Sequence, residues 1–202
     1  MKTNPKKKRK ASAMKSLLEP MGNYLLKNAG EFPIYECLYD PNYKIKGQSL
    51  IIISRHVAEK YLLIGSYLVD LFCLGVKDTF HVLHMRYSEY QDLLERIKME
   101  IELCHCPVDL AHAIIYGSIE YAEKLGFSPH DDFNKSRLIL EPKNSFRKLP
   151  KVTFGMKGKP LYVSGPDDDV RFILDTLDRN VGKDNYDFIV NESGFMPEFD
   201  TD

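Results

Sequence analysis

No apolar run in this 202-residue chain is long enough to span a bilayer. The longest, from Tyr61 to Val76, is interrupted by Gly65, Ser66, Asp70 and Gly75. The basic start is not followed by an apolar segment and a small-residue cleavage site, which excludes a secretory signal. Cysteine is scarce: Cys37, Cys73, Cys104 and Cys106 are too few to staple a chain of this size, so reduced and mostly buried thiols are expected. Also missing are G-x-G-x-x-G, a P-loop and a G-x-S-x-G elbow, so the familiar nucleotide-binding and acyl-hydrolase signatures do not apply. These absences predict a soluble cytoplasmic protein with no membrane partner.

What is present is globular in kind. Hydrophobic residues make up 44% and charged residues 28%, enough apolar surface for a core in one domain. The net charge of −1 conceals an asymmetry. Six of the 28 basic residues stand between Lys2 and Lys10, where there is no acid, leaving 22 bases against 29 acids in the rest. A basic tail therefore precedes an acidic body, and nucleic acid would meet the first favourably and the second unfavourably. Within the tail, Lys6, Lys7, Lys8, Arg9 and Lys10 form a cluster that reads as a nucleic-acid arm. In a eukaryotic host PKKKRK would instead read as a nuclear localisation signal.

The chain divides by composition. Residues 1–13 lack the apolar side chains that offset chain entropy and read as a disordered tail. Residues 14–30 suggest a poorly defined helical segment, broken by Pro20 and Gly22. Residues 31–190 form the single α+β domain, with 142–151 as an internal connector, and 191–202 are a loose acidic C-terminus. The runs SLIIISRH (49–56), YLLIGSYLVDLFC (61–73) and VKDTFHVLHM (76–85) are rich in β-branched and aromatic residues, with short breaks that suit an antiparallel three-stranded meander. Two or three helices pack on it. One follows a capping box expected at Ser88 with Gln91, the next runs from Val108 to a stop at Gly126, and FNKSRLIL suggests a third. A smaller hairpin–helix–strand unit closes the domain: a hairpin across Met156–Pro160, a helix from about Asp168 to Arg179, and a strand at Tyr186–Val190.

Three phrases carry a resemblance. LVDLFCLGVKDTF (68–80), YGSIEYAEKLGFSPHDDF (116–133) and FGMKGKPLYVSGPDDD (154–169) are similar to those of a family of uncharacterised bacterial proteins. The resemblance spans residues 50–190 and implies no activity, cofactor or substrate. In the last phrase that family is expected to have an aromatic residue before a pair of acids. Asp167 stands there instead, so Asp168 and Asp169 are the pair that matches.

Candidate chemistry is thin, and each candidate has a structural reading beside it. In SGPDDDVRFIL the aspartates precede Val170, Ile173, Leu174 and Leu177, an amphipathic helical spacing, so an N-cap explains them better than a metal. In PHDDF, His130 with Asp131 or Asp132 suits an acid–base or metal pair, or merely a turn and a cap. Asp70 sits in an otherwise interior run and must be paired, with Lys77 or Arg55 as expected partners, or stand at the strand's exposed side, unless it has a catalytic or metal role. Cys104-His105-Cys106 is too tight for a zinc pair, and Cys73 has no adjacent base. His112, Tyr116 and Glu120 recur every fourth residue and read as an exposed polar stripe with a His–Tyr contact. The first functional expectation is a binding or adaptor domain for an unknown protein partner, its tail touching nucleic acid. The alternative is a hydrolase using Asp70, His130 and Asp131 or Asp132, the one reading that calls for a divalent metal.

Overall fold

The structure, a computed structural model, describes residues 21–190. The basic cluster Lys6–Lys10, the first part of the N-terminal helical segment and the acidic C-terminus lie outside the described residues. The fold is α+β. Its centre is a five-stranded antiparallel sheet built from β1 (Ile34–Tyr39), β2 (Gln48–Ala58), β3 (Tyr61–Asp70), β4 (Gly75–Arg86) and β5 (Cys104–His105), in the spatial order β4-β3-β2-β1-β5. The expected meander is β2-β3-β4, and β1 and β5 extend it on the β2 side. A single turn of helix, α1 (Tyr43–Lys46), joins β1 to β2.

Period-two alternation sorts the apolar residues onto both faces of the sheet. Leu38, Ile52, Leu62 and Ile64 point to one side and pack against Tyr90 and Leu94 of α2 (Tyr87–Lys98). Ile51, Ile53, Leu63, Tyr67 and Val69 point to the other, against Ala111, Ile114, Ile115 and Ile119 of α3 (Val108–Leu125). Two helices thus cover opposite faces, and the sheet lies between them. Beyond α3, α4 (Phe133–Ser136) runs into a 3₁₀ turn at Arg137–Ile139, where the third helix was expected.

Three expectations need correction. The second predicted strand ends at Asp70 rather than Cys73, because Asp70 Oδ1 accepts the N–H groups of Phe72 (2.8 Å) and Cys73 (3.0 Å) and so folds the chain into the turn before β4. α2 starts at Tyr87, not after a cap at Ser88. Glu89 Oε2 accepts the Arg86 N–H at 2.9 Å, so the helix begins as soon as β4 ends. The closing unit begins with the expected hairpin, reduced to a single antiparallel bridge of Met156 with Lys159, but it holds one strand more than expected. The two short strands β6 (Leu161–Val163) and β7 (Asp187–Ile189) then pair in parallel, with α5 (Val170–Asn180) crossing between them. A parallel pair needs such a crossover, so the helix is the connection itself. A third cluster, with Cys73, Ala122, Leu125, Tyr162, Ile173 and Leu177, fastens this βαβ unit to the end of α3. No helix among the described residues is long and apolar enough to cross a membrane.

Candidate functional site

His112, Tyr116 and Glu120 stand one turn apart on α3, so the helix stacks them along one face. That face is not the exposed stripe the spacing suggested. Residues 142–154 pass over it as a strap and leave a cleft of about 500 Å³. The strap is anchored at both ends. At its start, buried Arg55 donates from Nε to Ile139 O (2.7 Å) and pairs through Nη2 with Glu141 Oε1 (2.8 Å). At its end, Gly155 N–H donates to Leu71 O (3.0 Å). Between the anchors there is no regular secondary structure.

The cleft mixes apolar and polar surface. Tyr116, Phe146 and Phe154 supply rings, and Leu149, Pro150 and Val152 complete the apolar lining. Gly117 allows the close approach: a Cβ there would collide with the Phe154 ring. At the rim, Lys143 Nζ lies 2.9 Å from Glu120 Oε1, both side chains about half exposed.

His112 is the unusual member. It is 2% exposed, its ring lies 4.4 Å from Tyr116 and 5.0 Å edge-on from Phe146. Nε2 sits 3.2 Å from Pro142 O. A carbonyl can only accept, so Nε2 carries the proton and Nδ1 presents its lone pair. Among the described residues that Nδ1 is buried without a hydrogen-bond partner. Burial pushes the His112 pKa below the usual histidine range, against the opposing pull of the Pro142 and Glu141 carbonyls, so the ring is neutral at pH 7. An unmet buried acceptor costs about 1–3 kcal/mol. Burial likewise raises Tyr116, which keeps its proton. The cleft therefore offers aromatic faces and, at its edge, Lys143, Lys151 and Glu120.

The residues singled out from sequence are placed elsewhere. Asp70 is 3% exposed, and its partners are the backbone N–H groups of its own turn, not Lys77 or Arg55. Arg55 serves the strap, and Lys77 donates to Asp168 Oδ2 at 2.9 Å. Burial raises the Asp70 pKa, partly offset by those N–H bonds. His130 and Asp132 are exposed and adjoin each other: the Asp132 N–H donates to His130 Nδ1 at 3.3 Å, while the His130 N–H donates to Val76 O. Asp132 heads α4 without a side-chain capping bond, and Asp131 is exposed beside it. Among the described residues no three of His, Cys, Asp and Glu come together as a metal site requires, Cys104-His105-Cys106 included.

The aspartate triplet divides its tasks. Asp169 is the N-cap of α5, its Oδ1 accepting Phe172 N–H at 3.0 Å. Asp168 Oδ2 instead accepts from Gly165 N–H (2.8 Å), Lys77 Nζ (2.9 Å) and Tyr162 Oη (3.2 Å), and Asp167 is exposed. Sequence reasoning noticed His112, Tyr116 and Glu120 but not the strap above them. The i, i+4 spacing is the available signal, and the cover comes from residues more than 20 positions away. Comparison with protein-family models, curated proteins and solved structures finds no match to this chain.

Proposed function

We propose that this protein is a binding domain whose ligand seats in the cleft between α3 and the strap of residues 142–154. The observation that carries the reading is the cleft itself, about 500 Å³ between α3 and the strap, with the rings of Tyr116, Phe146 and Phe154 on its walls. The volume of about 500 Å³ falls in the ordinary range for small-molecule seats, and apolar lining with a few fixed polar groups is the usual composition of one. Hydrolysis by Asp70, His130 and Asp132 has less support. The Asp70 carboxylate is engaged by its own turn, while the other two face solvent. The test is ¹⁵N NMR of the full chain titrated with single-ring aromatic fragments such as benzoate, phenol and indole. Saturable shifts confined to residues 112–120 and 142–154 are expected. Shifts centred on residues 70–76 and 130–132 would favour the alternative.

The arm Lys6–Lys10 fits a second, weaker contact with nucleic acid, independent of the cleft and carried by charge alone. With it goes a cytoplasmic location, or a nuclear one in a eukaryotic host.

A further inference from the structure

We infer that Cys37 and Cys106 are a redox modification site, independent of the cleft, where a peroxide closes a reversible disulfide between β1 and the start of α3. The backbone sets up the pair. β5 pairs with β1 through Tyr39–Cys104 and Leu38–His105. One residue further on, Cys106 N–H donates to Cys37 O at 2.8 Å, so these two cysteines stand opposite each other as the next step of the ladder. Opposite residues of an antiparallel pair put their side chains on the same face, and a hydrogen-bonded pair holds its Cα atoms about 5.5 Å apart. A disulfide spans about 4.4–6.8 Å between Cα atoms, so the bond needs no backbone rearrangement. The thiols themselves meet, inside the buried cluster on the α3 side of the sheet. Neither of the other cysteines has such a partner: Cys104 stands opposite Tyr39, and Cys73 lies in the cluster that fastens the βαβ unit.

The two sulfurs have different roles. Contact with Cys106, together with burial, holds the Cys37 thiol protonated, far above its ordinary range, so Cys106 reacts first. Cys106 is 6% exposed, but it follows an edge strand only two residues long, the kind of element that opens at little cost and admits a molecule as small as hydrogen peroxide. The Cys106 sulfur takes one peroxide oxygen, the O–O bond breaks, water leaves, and a sulfenic acid remains. The Cys37 sulfur then attacks that sulfur. The S–O bond breaks, and the departing hydroxide takes the Cys37 proton as a second water. Two thiols thus lose two electrons and two protons, and one peroxide becomes two waters. In a reducing compartment the pair rests as thiols, and the disulfide is a transient response to oxidant.

The test treats the full chain with hydrogen peroxide well below its melting temperature. Remaining thiols are then blocked with N-ethylmaleimide in denaturant, and the peptides are mapped by mass. The expected product has two of its four cysteines labelled and one linked peptide joining Cys37 to Cys106. Dithiothreitol should restore all four thiols. The oxidised chain should melt about 5–10 °C above the reduced one, because the cross-link restricts the unfolded chain. Cys104→Ala should form the link as wild type does, whereas Cys106→Ala should lose both the link and the melting shift. The wild-type peptide map decides the matter even if Cys106→Ala fails to fold. Four labelled cysteines, after a dose that fully oxidises free glutathione in the same solution, would overturn the proposal. So would a Cys104–Cys106 link, or oxidation confined to Cys104.

Discussion

Asp168 and Asp169 are adjacent, yet their carboxylates meet different partners. Asp169 accepts one backbone N–H at the solvent-facing start of α5, so Asp169→Ala should cost about 1 kcal/mol and Asp169→Asn very little. Asp168 ties the βαβ unit to β4 through Lys77, and both side chains are only 14% exposed. Asp168→Ala would strand that ammonium along with Gly165 N–H and Tyr162 Oη, and should cost about 2–3 kcal/mol. The two also differ in pH dependence. Burial alone would raise Asp168, but the Gly165 N–H, the Lys77 ammonium and the Tyr162 hydroxyl outweigh it and hold the pKa below the usual carboxylate range. A depressed folded-state pKa contributes stability that is complete above the unfolded value, about 4, and is lost as pH falls through the folded one. Urea unfolding of wild type and Asp168→Asn should therefore differ most at pH 6–7 and converge below about pH 4. A constant gap across that range, or equal costs for the two alanine variants, would contradict the assignment.

At the scale of elements, the strap depends on two residues that are not part of it. Arg55 on β2 is 1% exposed and donates to the carbonyls of Ile139, Gly30 and Phe32 as well as to Glu141. Arg55→Met keeps much of the volume but leaves those acceptors unmet inside the protein. A loss of about 3–5 kcal/mol is expected, read by denaturant unfolding. Gly117 is the second. Replacing a mid-helix glycine with alanine ordinarily gains up to about 1 kcal/mol, but here the new methyl meets the Phe154 ring. Gly117→Ala should forfeit that gain, and amide exchange across 143–154 should speed up as Phe154 is displaced, whereas Gly30→Ala, with open space around it, should leave the strap unaffected. Unchanged exchange in Gly117→Ala would mean the ring does not hold the strap down.

For the whole molecule, the charge separation between arm and body makes its own prediction. Removing residues 1–10 should leave the melting temperature nearly unchanged and sharply weaken any affinity for single-stranded RNA. The slope of log affinity against log salt should be shallower by about 0.7–0.9 for each lost cation that contacts phosphate. Tight, salt-insensitive RNA binding by the truncated chain would place the contact in the acidic body instead.

Local pattern carried a good part of this architecture. The β-branched runs announced β2, β3 and β4, and the stop expected at Gly126 closes α3, with Gly126 at φ 95°. These features rest on interactions within a few residues of the chain, which is why they can be read along it. β5 is only two residues long, and pairs with β1 through Leu38–His105 and Tyr39–Cys104, so its existence depends on a neighbour distant in sequence. The same holds for β6 and β7, whose parallel pairing exists only once α5 has crossed over, whereas the turn at Asp70 is local, its carboxylate taking backbone donors two and three residues on where a charged partner was expected. The candidate site belongs wholly to this second class. Spacing alone placed His112, Tyr116 and Glu120 on one helical face. Whether that face met solvent or a cover was decided by Arg55, some 60 residues earlier in the chain, fixing the start of a strap that lies 30 residues later, because a buried guanidinium takes its acceptors from wherever the fold brings them.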